Sequence, residues 1–155
     1  MAEVVLRSAV ADSPESRELL AAYGAERVAL GGTLNHGWAG GVTPGQLAPP
    51  RGAWLLGWRA DEAVACGGVR LLSPEECEIK RMYVDPSARA AGLARRLLTA
   101  LEDAGVALGA NLARLDTGHD MASAVGLYRT SGYVEIADYN GNPDAGWWFE
   151  KRLTS

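Results

Sequence analysis

Hydrophobic positions along the chain keep two rhythms, one of period two and one near 3.6, and each change of rhythm predicts a new element. Over residues 3–9, Val4 and Leu6 alternate with Val5 and Arg7, which predicts a first strand. Asp12-Ser13-Pro14-Glu15 then reads as a helix start. Asp or Ser serves as the cap, Pro suits the first turn, and the acid lies where the helix dipole favours negative charge. That helix is expected to run towards Leu30. Residues 31–52 are rich in Gly, Pro, Asn and Thr and predict a long loop with a short helix near 43–47. Loops of that length in a domain usually carry function. Strands over 53–59 and 63–72 follow, joined like a hairpin at Ala60-Asp61-Glu62, and a third spans 76–84. From Gly92 the period turns helical, with Leu93, Leu97, Leu101, Ala104 and Leu108 on one face and Gly109 suited to a left-handed closing residue. A strand over 112–117, a helix capped by His119 or Asp120 and ending near Thr130, and strands over 133–137 and 147–153 complete the series.

The order is therefore strand, helix, loop, three strands, helix, strand, helix, two strands. It predicts an α/β or mixed α+β sheet, antiparallel early and with a βαβ crossover in the middle. No linker or low-complexity segment divides it, so a single domain over residues 1–155 is expected. Composition narrows the class. The chain is 48% hydrophobic and 22% charged, as a folded globular protein is. No stretch approaches the roughly 18–20 apolar residues of a membrane span, and the first residues lack a basic segment leading into an apolar one. A cytoplasmic protein without membrane contact is expected. A net charge of −4, with no basic run interleaved by aromatics, argues against nucleic acid and mildly favours a cationic partner over an acidic one. Cys66 and Cys77 are too few for a disulfide framework or a cysteine zinc site and are expected to be buried free thiols. No His/Asp/Glu cluster has ligand spacing, so no metal is expected.

Chemistry concentrates where the third strand meets the second long helix, in Met82-Tyr83-Val84-Asp85-Pro86-Ser87-Ala88-Arg89-Ala90-Ala91-Gly92-Leu93-Ala94-Arg95. A strand passes through a tight turn into a helix that opens on small residues with Arg on either side. Such a start leaves backbone N–H groups pointing outwards at the positive end of the helix dipole, an anion site that Gly92 lets a phosphate approach. The Lys-Ser/Thr ending of a triphosphate loop and the three glycines of a dinucleotide fold are both missing. Taken alone, a packing glycine at this turn explains Arg-x-x-Gly-x-Ala equally well.

This stretch resembles the coenzyme-A signature of the GNAT superfamily of N-acetyltransferases, Gln/Arg-x-x-Gly-x-Gly/Ala after a strand ending in hydrophobic-x-Val-x-Pro. A second stretch matches as well: Leu115-Asp116-Thr117-Gly118, then Ala124-x-x-Leu127-Tyr128-x-x-x-Gly132-Tyr133. The order of elements is also the superfamily's, so the resemblance covers essentially the whole chain. It implies a central mixed sheet of about seven strands flanked by about four helices, and acetyl-CoA as cosubstrate. By the same resemblance, the backbone of Arg89, Ala90, Ala91, Gly92, Leu93 and Ala94, together with Arg95, holds the pyrophosphate. The strand around Met82, Tyr83 and Val84 pairs with the pantetheine arm, and one N–H there faces the thioester carbonyl. The general acid falls on Tyr128 and the general base on Glu78.

Those residue types suit the chemistry. A primary amine of pKa ~10 is mostly protonated at neutral pH, and a carboxylate can take that proton. A fixed backbone donor stabilises the oxyanion formed on attack. A phenol of pKa about 10 keeps its proton at neutral pH and can hand it to the leaving sulfur. Each role has a plainer counterpart. Tyr128 shares a helical face with Met121 and Ala124 and would look the same if it only packed. Glu78 could be a strand acid facing solvent, in which case Asp116 is the next candidate base unless it caps the following helix. His119 reads as a cap or a solvent-facing residue. Met121 stands where relatives commonly carry Asn or Gln, and it cannot make their hydrogen bond. The acceptor is expected to be a small-molecule or amino-acid-like amine, walled by the loop with His36 and Trp38 and by the final loop with Tyr139, Asn140, Asn142, Trp147 and Trp148. Trp147, Trp148 and Phe149 equally suit a strand whose alternate residues fill the core. Acetylation of a protein N-terminus or lysine, and an acyl-CoA sensor without turnover, are the alternatives. A homodimer paired through the final strand is a further expectation.

Overall fold

The computed structural model describes residues 3–30, 42–89, 92–118 and 122–153. The elements are β1 (Val4–Ser8), α1 (Pro14–Ala29), a 3₁₀ turn (Pro44–Leu47), β2 (Gly52–Arg59), β3 (Glu62–Ser73), β4 (Glu76–Val84), a second 3₁₀ turn (Pro86–Ala88), α2 (Leu93–Ala107), β5 (Leu112–Thr117), α3 (Ala122–Thr130), β6 (Val134–Ile136) and β7 (Trp147–Arg152). Ser13 is the cap of α1, its Oγ accepting from the Ser16 N–H at 3.2 Å. The buried Ser16 hydroxyl donates to the Val10 carbonyl at 2.8 Å and accepts from Trp54 Nε1 at 2.9 Å, which fixes the start of α1 on β2. At the far end of α2, Gly109 takes φ +109°. Its N–H bonds to the Val106 carbonyl and that of Ala110 to the Gly105 carbonyl, both at 2.9 Å, so the last turn's acceptors are satisfied as the glycine predicted.

The seven strands form one mixed sheet in the order β1-β2-β3-β4-β5-β7-β6. Among the described residues only the β4–β5 pairing is parallel, and α2 makes the crossover between them. The sheet is filled on both sides. On one, Leu93, Leu97, Leu98 and Leu101 of α2 pack with Val64, Val69, Ile79, Ala113, Leu115 and Phe149. On the other, Leu19 and Leu20 of α1 pack with Leu47, Trp54, Leu56, Cys66 and Tyr83. Each fully buried leucine contributes roughly 1.5–3 kcal/mol, so the α2 stripe alone holds that helix in place.

Two features of β4 open a cleft. β4 and β5 pair only through Glu76–Glu78 and Leu112–Arg114. Just beyond, β4 carries a bulge: Lys80 faces Gly68 and Tyr83 faces Cys66, so one strand spends three steps where the other spends two, and Arg81 takes φ +59°. A bulge of this kind sharpens the local twist. From Ile79 onward the edge of β4 that faces β5 has no partner strand among the described residues.

Two expectations change. The described residues hold three α-helices, not about four, because residues 44–47 form only a 3₁₀ turn, too short to present an apolar stripe. The final strand is also not an edge: β7 pairs with β5 on one side and β6 on the other, so it has no row of free backbone groups for a second copy. The edges are β1 and the three-residue β6. His36, Trp38, Ala90, Ala91, His119, Asp120 and Met121 lie outside the described residues.

Candidate active site

The cleft between the splayed ends of β4 and β5 has a volume of about 320 Å³. Its walls come from Tyr23 and Arg27 of α1, Lys80, Arg81 and Met82 of β4, Asp116 and Thr117 of β5, Tyr128 of α3 and residues 140–145. Past Met82 the free β4 edge leads through Asp85 and the second 3₁₀ turn to the N-terminus of α2. Asp85 caps that turn, its carboxylate accepting from the Ser87 N–H at 3.0 Å. The interaction with Ser87 holds the Asp85 carboxyl below the usual range.

Gly92 is the N-cap of α2, left-handed at φ +73°, with no side chain to bond the first-turn amides. The first bond inside the helix runs from the Arg96 N–H to the Gly92 carbonyl at 3.0 Å. Among the described residues, no atom other than the chain neighbours lies within 4 Å of where a Cβ on Gly92 would sit, so there is room beside Gly92. Three uncapped N–H groups at the positive end of a four-turn helix, with that room beside them, fit a diphosphate. The side chains beside them are engaged elsewhere. Arg89 donates to the Val84 carbonyl at 2.9 Å, pairs with Glu26 of α1 and lies 5.7 Å from the Tyr83 ring centre. Arg95 donates to the Thr130 carbonyl and to the Ser131 hydroxyl, at 3.2 and 2.8 Å, tying α2 to the end of α3. Any grip at this end is therefore mainly a backbone one. Met82 lines the cleft, while Tyr83 and Val84 are buried on opposite faces of the sheet.

Tyr128 reaches the cleft from α3, its ring packed 5.8 Å from Tyr133 and 5.9 Å from Phe149. Among the described residues its hydroxyl has no hydrogen-bond partner. Burial raises the phenol well above its ordinary value of 10.0, and Tyr23 and the Asp116 charge add to the rise. The hydroxyl thus stays protonated throughout the working range and is a donor, which suits hydrogen bonding to a leaving sulfur better than outright proton loss.

Glu78 has no exposed surface and does not reach the cleft. One carboxylate oxygen accepts from Arg70 Nε at 3.0 Å with Nη2 at 2.9 Å, and the other accepts from the Tyr139 hydroxyl at 2.6 Å and Asn140 Nδ2 at 3.2 Å. Lys80 Nζ lies 3.7 Å from Glu78 and 3.2 Å from Asp116. The Asn140 amide also donates to Asp116 and accepts from Trp148 Nε1 at 3.0 Å. One network thus pins the loop over residues 138–146 to β3, β4 and β5. Within it Asp116 is the carboxylate on the cleft wall. Burial and the charge of Glu78 push the Tyr139 phenol up, so it too stays a donor.

A family model described as the acetyltransferase (GNAT) family matches residues 16–133. The chain belongs to that family. A protein named IAA acetyltransferase from Azospirillum brasilense is 36% identical over 90 residues, covering 57% of this chain and 59% of that relative, so the chain spans about three-fifths of its length. A structure described as an acyl-CoA N-acyltransferase from Klebsiella pneumoniae is 29% identical, with a TM-score of 0.78 and 97% of each chain covered. A GNAT structure from Elizabethkingia anophelis with acetyl-CoA bound shares the fold at TM-score 0.68 and 14% identity, over 96% of this chain and 97% of that one.

In this GNAT chain the motif residues were visible because each depends on neighbours close in sequence. Arg27, Arg70, Arg81 and Asp144, which also line the cleft, were not singled out. A partial signal existed: Tyr23 and Arg27 are four apart on one helix, and Glu78 and Lys80 two apart on one strand, so each pair shares a face. That Tyr23, Arg27 and Lys80 meet at one cleft, with Glu78 sealed behind it, depends on packing between elements.

Proposed function

We propose that this GNAT chain is an acetyl-CoA-dependent N-acetyltransferase acting on a small-molecule or amino-acid-like amine by direct transfer. The observation that carries the reading is the unpartnered β4 edge running from the cleft to the open, uncapped N-terminus of α2. Acetyl-CoA supplies the acyl group as a thioester: the amine nitrogen bonds to the acyl carbon, the carbon–sulfur bond breaks, and the sulfur leaves with the bonding pair. The first-turn amides of α2 hold the diphosphate, and the β4 edge around Met82 hydrogen-bonds the pantetheine arm and gives one N–H to the carbonyl oxygen.

Asp116 receives the proton lost by the amine, in the role that the sequence resemblance suggested for Glu78. What supports this is that Asp116 lies on the cleft wall while all the strong acceptor positions of Glu78 are taken. Glu78 then positions Asp116 through Asn140 and Lys80. Tyr128 donates a hydrogen bond to the leaving sulfur. A cleft of about 320 Å³, walled by α1 and the 140–145 segment, favours a small acceptor over a folded protein's lysine. The test is release of free thiol from acetyl-CoA across a panel of amines. Turnover with small amines and none with peptides is expected, and cofactor-induced stabilisation without turnover on any amine would overturn the reading.

A further inference from the structure

The cleft proposed to receive an amine already holds one that belongs to the chain. The sequence has two lysines, Lys80 and Lys151. Lys80 lines the cleft from β4, as Met82 does, and its Nζ lies 3.2 Å from Asp116 Oδ2 and 3.7 Å from Glu78 Oε2. Lys151 is not among the lining residues: its Nζ donates to both Glu102 oxygens at 3.1 Å and stands 5.6 Å from the Tyr133 ring centre. Solvent access ranks the two the other way, with 15% of the Lys80 side chain exposed against 28% for Lys151. Of the nitrogens in the network around Glu78, those of Arg70, Asn140 and Trp148 belong to delocalised guanidinium, amide and indole groups, so Lys80 alone offers an amine. The carboxylate proposed to take the acceptor's proton is thus already in hydrogen-bond contact with this nitrogen.

We propose that Lys80 is an internal acetyl acceptor: when acetyl-CoA is bound and no free amine occupies the cleft, Lys80 Nζ takes the acetyl group and the chain inactivates itself. The proposal rests on the acetyl-transfer reading above and adds a modification site and a brake to it. The Lys80 ammonium gives one proton to Asp116, and the freed lone pair attacks the acyl carbon. The nitrogen–carbon bond forms, the carbon–sulfur bond breaks, and the sulfur leaves with the bonding pair. A second proton passes from the nitrogen to the sulfur, and the first goes from Asp116 to solvent. The products are acetylated Lys80, the free thiol of coenzyme A and one proton. A lysine suits the role because its compact charge rides on a flexible stem, so Nζ can swing from Asp116 towards a thioester set against Met82. Acetylation removes the charge. Asp116 and Glu78 then lose a cation, and an amide fills part of a cleft of about 320 Å³. The modification therefore accumulates where acetyl-CoA is plentiful and the acceptor scarce.

The test incubates the unmodified protein with acetyl-CoA and no amine, follows the intact mass, and maps the acetyl group by proteolysis and mass spectrometry. One acetyl group per chain is expected on Lys80, at a rate that saturates with acetyl-CoA and exceeds that of Lys151 by about 100-fold. The rate per chain should not depend on protein concentration, because the transfer stays within one molecule. Asp116→Asn should slow it about 10- to 100-fold. Lys80→Arg should remove the saturable labelling and leave that of Lys151 as it was. In partly acetylated samples, thiol release with a free amine should fall in proportion to the acetylated fraction. Labelling that rises linearly with acetyl-CoA, or that favours the more exposed Lys151, is random chemical acetylation and would overturn the proposal. An unmodified Lys80 in a protein that turns over free amines would overturn it too, and would leave the transfer reading intact. Saturable labelling of Lys80 with no free amine turned over would sustain it and remove the small-acceptor reading instead. If calorimetry finds no binding of acetyl-CoA, both fall together.

Discussion

The two ends of the β4–β5 cleft are made of different material. At the end proposed for the donor the available groups are peptide N–H groups: the edge of β4 beyond Glu78 and the first turn of α2, opened by a glycine that offers neither a side chain nor a cap. At the end proposed for the acceptor they are charged side chains drawn from α1, β3, β4, β5 and the loop before β7, beside a network centred on Glu78. A backbone site needs only the right turn and room above it, so it can be written in a few consecutive residues. A side-chain site needs several elements to arrive together, so it is particular to this chain. The donor end should therefore fail abruptly at one residue, whereas the acceptor end should fail by degrees.

The largest effect is expected at Gly92. Gly92→Glu places a side chain and a negative charge at the proposed diphosphate site and forces a non-glycine residue to φ +73°, so acetyl-CoA binding by calorimetry should disappear. Binding that survives would move the donor site away from α2. Next is Tyr128→Phe, which should lower kcat by about 10²- to 10³-fold while barely changing the KM for acetyl-CoA. The sign of the pKa shift sharpens this test. Because burial raises the Tyr128 phenol above 10.0, the donor form persists on the alkaline side, and kcat should show no loss assignable to this tyrosine below pH 10.

A smaller contrast separates the two carboxylates of the acceptor end. Asp116→Asn should cost about 10- to 100-fold in kcat/KM with little change in melting temperature, as loss of a proton acceptor does. Glu78→Gln should do the reverse in emphasis, costing about 3 kcal/mol of folding stability by leaving Arg70 and Lys80 short of their buried partner. A Glu78 variant that keeps its stability yet loses as much activity as the Asp116 variant would return the base role to Glu78. The smallest effect concerns the thiols. Burial pushes Cys66 and Cys77 up to about 12, so both stay protonated and should resist alkylation at pH 8 until the chain unfolds, read by mass spectrometry with and without denaturant.

The element order, the βαβ crossover, the closing glycine of α2 and the strand-to-helix turn were all readable along the chain, because each is a local matter of periodicity, capping or backbone freedom. Tyr128 and Glu78 were singled out by the family resemblance, since local periodicity left Tyr128 equally suited to packing. The surroundings of Glu78 were not legible: a strand acid looks alike whether solvent or Arg70, Tyr139 and Asn140 meet it, and the partners that bury it lie 8, 61 and 62 residues away. The final strand misled for a similar reason, since its place inside the sheet depends on β6 folding back onto it.

What the amino-acid sequence determined by itself was the repertoire of elements and the glycine-opened start of α2, since hydrogen-bonding geometry over a few residues is fixed largely by those residues. Tertiary structure decided which carboxylate faces the cleft and which is sealed behind it. It also decided that Arg27 and Arg81, 54 positions apart, share one small space with Asp144. Cross-strand register and helix packing make those choices, because the energy of a charge depends on what surrounds it in space, and only the folded chain supplies those surroundings.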